Sequence, residues 1–170
     1  MHFKLIACEV FTREICALVA TAPHLIDPEF TPKDAHDNSS RLRALLQTKI
    51  DQADQREKKY DAILLAFGLC GNATVGLQAR ATKFVIPRAH DCGTLFLGSK
   101  EKFKANFAAN PSLAYSSTGY CERGDSYLRS RDTYHGKSYD DYLKLYGEEN
   151  AKYLWEILHP PYVQAGEKVV

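Results

Sequence analysis

No stretch of this chain approaches the roughly 20 consecutive apolar residues that a membrane-spanning helix needs, so no membrane anchor is expected. Net charge is nearly absent: 22 basic and 21 acidic side chains leave +1, which excludes a general attraction to nucleic acid or to an anionic membrane. The glycine-rich signatures G-x-G-x-x-G and G-x-x-x-x-G-K-[ST] are missing, as is G-x-S-x-G. That removes the usual grounds for a dinucleotide, P-loop or serine-hydrolase reading. There is no C-x-x-C pair either. Five cysteines, an odd number scattered through the chain, do not form the disulfide framework of a secreted scaffold, and a reducing cytoplasm is expected. Leu5-Ile6-Ala7-Cys8 resembles a lipoprotein cleavage box, but a signal needs an apolar core of roughly 7–15 residues ahead of it. Too little chain precedes Cys8 for that, so Cys8 is expected to stay in the mature protein.

What is present is enough apolar material for one core: 170 residues, 45% hydrophobic and 25% charged. Residues 63–72 read I-L-L-A-F-G-L-C-G-N, a short apolar run that meets glycine and predicts a buried parallel strand, a tight turn and a helix over 73–80. Residues 3–7 predict a first strand. Phe11, Ile15, Leu18 and Val19 recur at helical spacing after it. Residues 23–30, where Pro28 and the following Pro32 limit regular pairing, are fit only for a short or edge strand. Asn38 and Ser39 are caps for a helix over 41–57, with Leu42, Leu45, Leu46 and Ile50 on one face. Further strands are expected at 82–86 and 113–117, helices at 94–97 and after Ser99, and a long helix over 139–158. Alternation of this kind predicts a single-domain α/β fold over residues 1–158: a mostly parallel, Rossmann- or flavodoxin-like sheet with helices on both faces. A lid-like loop near 120–138 and a tail over 159–170 complete it.

Ligands of such sheets bind beyond the carboxyl ends of the strands. Cys8, Cys70 and Cys92 are expected there. A thiol on the turn before a helix would face the positive end of the helix dipole, which favours thiolate. In an extended His90-Asp91-Cys92, alternation turns His90 and Cys92 to one side. The four together offer the soft donor set of a transition metal, zinc or iron first. Glu9 and Asp91 are candidates for proton transfer or for orienting a ligand. His36, Gly71 and Asn72 are candidates for cofactor binding. An alternative is a metal-independent thiol enzyme, with Cys70 as nucleophile, His90 as base and the Gly71 and Asn72 amides as anion donors. Asp34-Ala35-His36 matches the opening of the corrinoid-binding signature D-x-H-x-x-G, whose glycine is Ser39 here.

Several blocks, C-E-V at Cys8, A-H-D-N at Ala35, L-L-A-F-G-L-C-G-N at Leu64, I-P-R-A-H-D-C at Ile86 and L-F-L-G-S-K-E at Leu95, resemble the bacterial and archaeal family of unknown function numbered 1638. Many of its members are encoded near corrinoid-dependent methyltransferases. The resemblance implies a shared site for Cys8, His36, Cys70, His90, Asp91 and Cys92. It also implies a metal-binding protein, catalytic or accessory, in anaerobic one-carbon or corrinoid methyl metabolism, with a corrinoid as a second cofactor candidate. Expected partners are a small-molecule ligand, a methyltransferase or corrinoid protein that the chain would serve without catalysis of its own, and a second copy of the chain. Two departures stand out: Asp37-Asn38-Ser39-Ser40 replaces the usual proline-rich spacing, and Tyr120 stands where many members have Trp.

Overall fold

The computed structural model describes residues 1–109, 116–123, 133–134 and 137–158. The chain divides into two compact units, Met1–Leu113 and Ala114–Val170.

In the first unit, strand β1 (His2–Cys8) becomes more deeply buried along its length, ending on buried Ile6, Ala7 and Cys8. A turn of 3-10 helix (Glu9–Phe11) leads into helix α1 (Thr12–Thr21). Strand β2 (Leu25–Thr31) follows and lies at the sheet edge, the position to which its Pro28 confines it. A second 3-10 turn (Lys33–Asp37) precedes helix α2 (Ser39–Asp54). Asn38 is its cap, its side chain accepting from the Arg41 amide at 3.0 Å. Strand β3 (Ala62–Ala66) and the two-residue strand β4 (Phe84–Val85) complete a parallel sheet in the order β2-β1-β3-β4. The β1–α1–β2 and β2–α2–β3 connections step across the sheet in opposite directions. The right-handed rule for such crossovers therefore puts α1 on one face and α2 on the other. Lys4, which interrupts the apolar run of β1, pairs with Glu29 of β2 at 2.7 Å, and Glu29 also bonds Lys49 of α2. Burial pulls the Glu29 carboxyl upward, but the bonds from Lys4 and Lys49 outweigh it and hold the pKa below its ordinary value.

Beyond the sheet come helix α3 (Cys92–Leu97), capped by Asp91 and closed by left-handed Gly98, and helix α4 (Lys100–Ala109). The core consists of Ile6, Val10, Leu42, Leu46, Ile50, Ile63, Leu65 and Phe67, each almost wholly inaccessible. The helix expected over 73–80 does not form. Cys70, Gly71 and Asn72 all have positive φ (45°, 63° and 66°), and Gly76 has another at 84°. A right-handed helix cannot start from three consecutive left-handed residues, and turns occupy residues 70–76 instead.

The second unit contains the short helix α5 (Thr118–Glu122), the two-strand ribbon of β5 (Thr133–Tyr134) and β6 (Lys137–Ser138), and α6 (Tyr139–Leu158). Helix α6 has the predicted span but is broken at Gly147 (φ 74°, ψ 169°). Tyr142 and Trp155, one on each side of the break, meet edge to face at 5.8 Å between ring centres. Of the strand expected at 113–117, only Ser116 and Ser117 are described. Both are buried, and Ser117 caps α5. The predicted lid lies mostly outside the described residues, as does the tail after residue 158.

Candidate functional site

The carboxyl end of the first unit is shaped by one close approach. After β3 the chain runs through Phe67 and Gly68 alongside residues 89–91. The Leu69 amide donates to the Ala89 carbonyl at 3.0 Å and the Cys70 amide to that of His90 at 3.2 Å. A Cβ on Gly68 would stand 2.7 Å from both the Cα and the nitrogen of Asp91, so only glycine lets the two segments touch backbone to backbone. Just past this contact the chain turns left-handed at Cys70, Gly71 and Asn72. Arg43 of α2 anchors the turn by donating to the Asn72 carbonyl at 2.7 Å.

Cys8, at the end of β1, is 3% exposed, while Cys70 and Cys92 are half-buried. Burial pushes the Cys70 thiol up to about 12, with further upward pressure from Cys92, from Cys8 and from the Asp91 carboxylate. Cys92, Cys8 and Asp91 thus lie within electrostatic reach of Cys70. The shift runs opposite to the thiolate expected of a helix start, because no helix begins there and the neighbouring charges have the wrong sign.

Asp91 has two roles. One carboxylate oxygen accepts from the Thr94 amide at 2.9 Å, capping α3, and the other meets His90 Nδ1 at 2.9 Å. Residue 91 is the cap and is itself extended (φ −153°, ψ −175°), while Cys92 enters the helix. His90 is left with 76% of its side chain exposed, its ring 6.2 Å from that of Phe103. Here the metal expectation is corrected. Among the described residues no group of three or more His, Cys, Asp or Glu side chains is placed to hold a metal ion, so Cys8, Cys70, His90 and Cys92 are not a ligand set. Zinc and iron fall with it. The reading of the chain as a metal-binding protein of corrinoid methyl metabolism, with its cofactor assignment, falls as well.

The remaining candidates occupy the same end of the unit. Glu9 accepts from the Lys33 amide at 2.8 Å, tying the end of β1 to the turn after β2. His36 Nδ1 donates to the Lys33 carbonyl at 3.0 Å, and its ring stacks on Phe67 with 6.1 Å between centres. Burial lowers the His36 pKa, so the ring is neutral at pH 7 with Nε2 as its acceptor. Gly71 and Asn72 form the left-handed turn itself. Gly68 and Arg43 were not among the residues expected at the site. The glycine that ends an apolar run was the available signal for the first; for Arg43, which meets the turn from a distant helix, the sequence gives none.

Among the described residues no helix is long and apolar enough to cross a membrane. No curated protein and no solved structure matches the chain. The profile of one family, described as protein of unknown function (DUF1638), matches residues 30–159, a span that includes β3, the left-handed turn and the Asp91 cap. The chain belongs to the DUF1638 family.

Proposed function

We propose that the first unit binds a small uncharged or cationic molecule beyond the carboxyl ends of β1 and β3, over Cys70 and Cys92. The strand order 2-1-3-4 is that of the first four strands of a flavodoxin-like sheet, whose ligands lie outside the strand ends where the order reverses, between β1 and β3. The observation that carries this reading is the close backbone approach of residues 68–70 to residues 89–91, which sets Cys70 beside the segment that leads through Asp91 to Cys92. Burial, the largest influence on Cys70, favours an uncharged ligand; the Asp91 carboxylate adds a bias against anions, whereas a cation would be attracted by Asp91 and would draw Cys70 toward thiolate. The strained turn at 70–72 supports the same reading, since left-handed non-glycine residues persist only where their surroundings hold them and collect at ligand sites.

The test is a panel of small molecules sorted by charge, scored by thermal shift and by protection of Cys70 and Cys92 from N-ethylmaleimide. Uncharged or cationic compounds are expected to raise the melting temperature and to slow alkylation of both thiols together. If stabilising compounds shield neither thiol, or if the only stabilising compounds are anions, the reading is wrong.

A further inference from the structure

Cys70 and Cys92 are brought together by backbone rather than by side-chain chance. The Cys70 amide is bonded to the carbonyl two residues before Cys92, and Gly68 lies against Asp91, the residue immediately before Cys92. Both thiols are half-buried, whereas Cys8 beneath them is nearly inaccessible. None of the five cysteines is in a disulfide. Two half-buried thiols held on adjoining segments, with a third shielded from solvent, suit two-electron exchange with an external disulfide.

We propose that Cys70 and Cys92 form a dithiol pair that reduces a low-molecular-weight disulfide, with Cys92 attacking first and Cys70 closing the internal bond. The proposal rests on the ligand-site reading insofar as the disulfide enters by the same rim. In the first step the Cys92 sulfur gives up its proton and attacks one sulfur of R–S–S–R. The S–S bond breaks, and the leaving thiolate takes up a proton to become the first R–SH. In the second step Cys70 loses its proton and attacks the Cys92 sulfur of the mixed disulfide, releasing the second R–SH. The pair is oxidised by two electrons and the external disulfide is reduced by two. The two protons lost by the cysteines end on the two released thiols.

The order of attack follows from the surroundings. Desolvation keeps Cys70 protonated at rest, which leaves it a poor first nucleophile. Cys70 acts second, on a sulfur already held beside it, where proximity replaces intrinsic reactivity. The left-handed turn contributes by fixing where Cys70 is presented, and Arg43 fixes the turn.

The experiment uses the full chain carrying Cys16→Ser and Cys121→Ser, which removes the two exposed thiols, one on α1 and one on α5. This protein is incubated with cystamine, a cationic disulfide suited to the rim, and digested under conditions that block further exchange, and its peptides are weighed. A Cys70–Cys92 cross-linked peptide is expected, with two equivalents of cysteamine released per chain. Cys70→Ser in the same background should lose the cross-link and accumulate cysteamine on Cys92. Cys92→Ser should lose both products. Circular dichroism of each variant establishes that it is folded. The proposal is overturned if Cys70 and Cys92 stay reduced in the folded parent, if the cross-link joins Cys8 instead, or if Cys70→Ser leaves Cys92 unmodified. The exchange is read from covalent products and the charge-sorted panel from reversible stabilisation by compounds without an S–S bond, so failure here is distinct from failure of the panel.

Discussion

At the amino end of the sheet, one oxygen of Asp27 receives His2 Nε2 at 2.9 Å, Arg56 at 3.0 Å and the Tyr60 hydroxyl at 2.8 Å. The guanidinium of Arg56 also sits 4.9 Å over the Tyr60 ring. At the carboxyl end, Cys70 instead faces two further thiols and a carboxylate, all of which oppose its ionisation, on backbone of positive φ. The same strands run between the two ends, so the contrast does not come from the fold. One end satisfies its charge and stabilises the sheet. The other holds groups in an environment that a bound molecule could change, which is where chemistry is expected.

The comparison can be broken most forcefully at Gly68. Gly68→Val puts carbon against the Asp91 backbone, which has no flexible end to move, and should cost about 3 kcal/mol in urea unfolding, the upper end for overpacking. It should also separate Cys70 from Cys92. At the opposite end, Asp27→Ala leaves Arg56, His2 and Tyr60 without their shared acceptor. Its side chain is partly exposed, and a smaller loss of about 1 kcal/mol is expected, with no change in thiol reactivity. Similar losses at both sites, each accompanied by altered alkylation of Cys70, would erase the distinction between the two ends.

Cys70→Gly carries the opposite sign. It removes the thiol and relieves the left-handed strain, and should raise stability by about 1 kcal/mol in the same urea assay, so function and stability pull apart at one residue. A loss of stability would mean that burial of the sulfur outweighs the strain. The smallest effect at neutral pH concerns ionisation of the same residue. Cys70 has a folded pKa raised from about 9 to about 12, so its contribution to stability is complete below pH 9 and is lost as pH rises toward 12. Thermal melts across that range should fall more steeply for the wild type than for Cys70→Ser. Coincident curves would refute the buried, neutral thiol.

Much of this was legible in the sequence because periodicity is strong where burial is continuous. The cores of β1, β3, α1 and α2 and the full span of α6 follow from their apolar spacing. What failed was local conformation at the site. The stretch after Asn72 has helical composition, but the positive φ of Cys70 and Asn72 is set by the packing of residues 68–70 on 89–91, a contact between residues about twenty apart. Asp91 is a residue type that caps helices, and with α3 starting directly after it rather than at Thr94, His90 lies outside the helix and is exposed. Pairing of Cys70 with Cys92 was visible only as proximity to neighbouring strand ends. The raised pKa of Cys70 required knowing that no helix begins beside it.

The left-handed turn also has a consequence for the order in which the chain folds. Cys70, Gly71 and Asn72 are disfavoured in that conformation until β3 has docked and residues 89–91 have come alongside, so the turn is expected to be absent from the folding transition state. Changes there should then alter the unfolding rate and leave the folding rate nearly untouched, whereas Ile63→Ala in the centre of β3 should slow folding itself. A newly made chain would therefore pass through an interval in which the sheet exists and its thiols are still apart. During that interval its cysteines are exposed to oxidation in combinations that the finished rim does not permit.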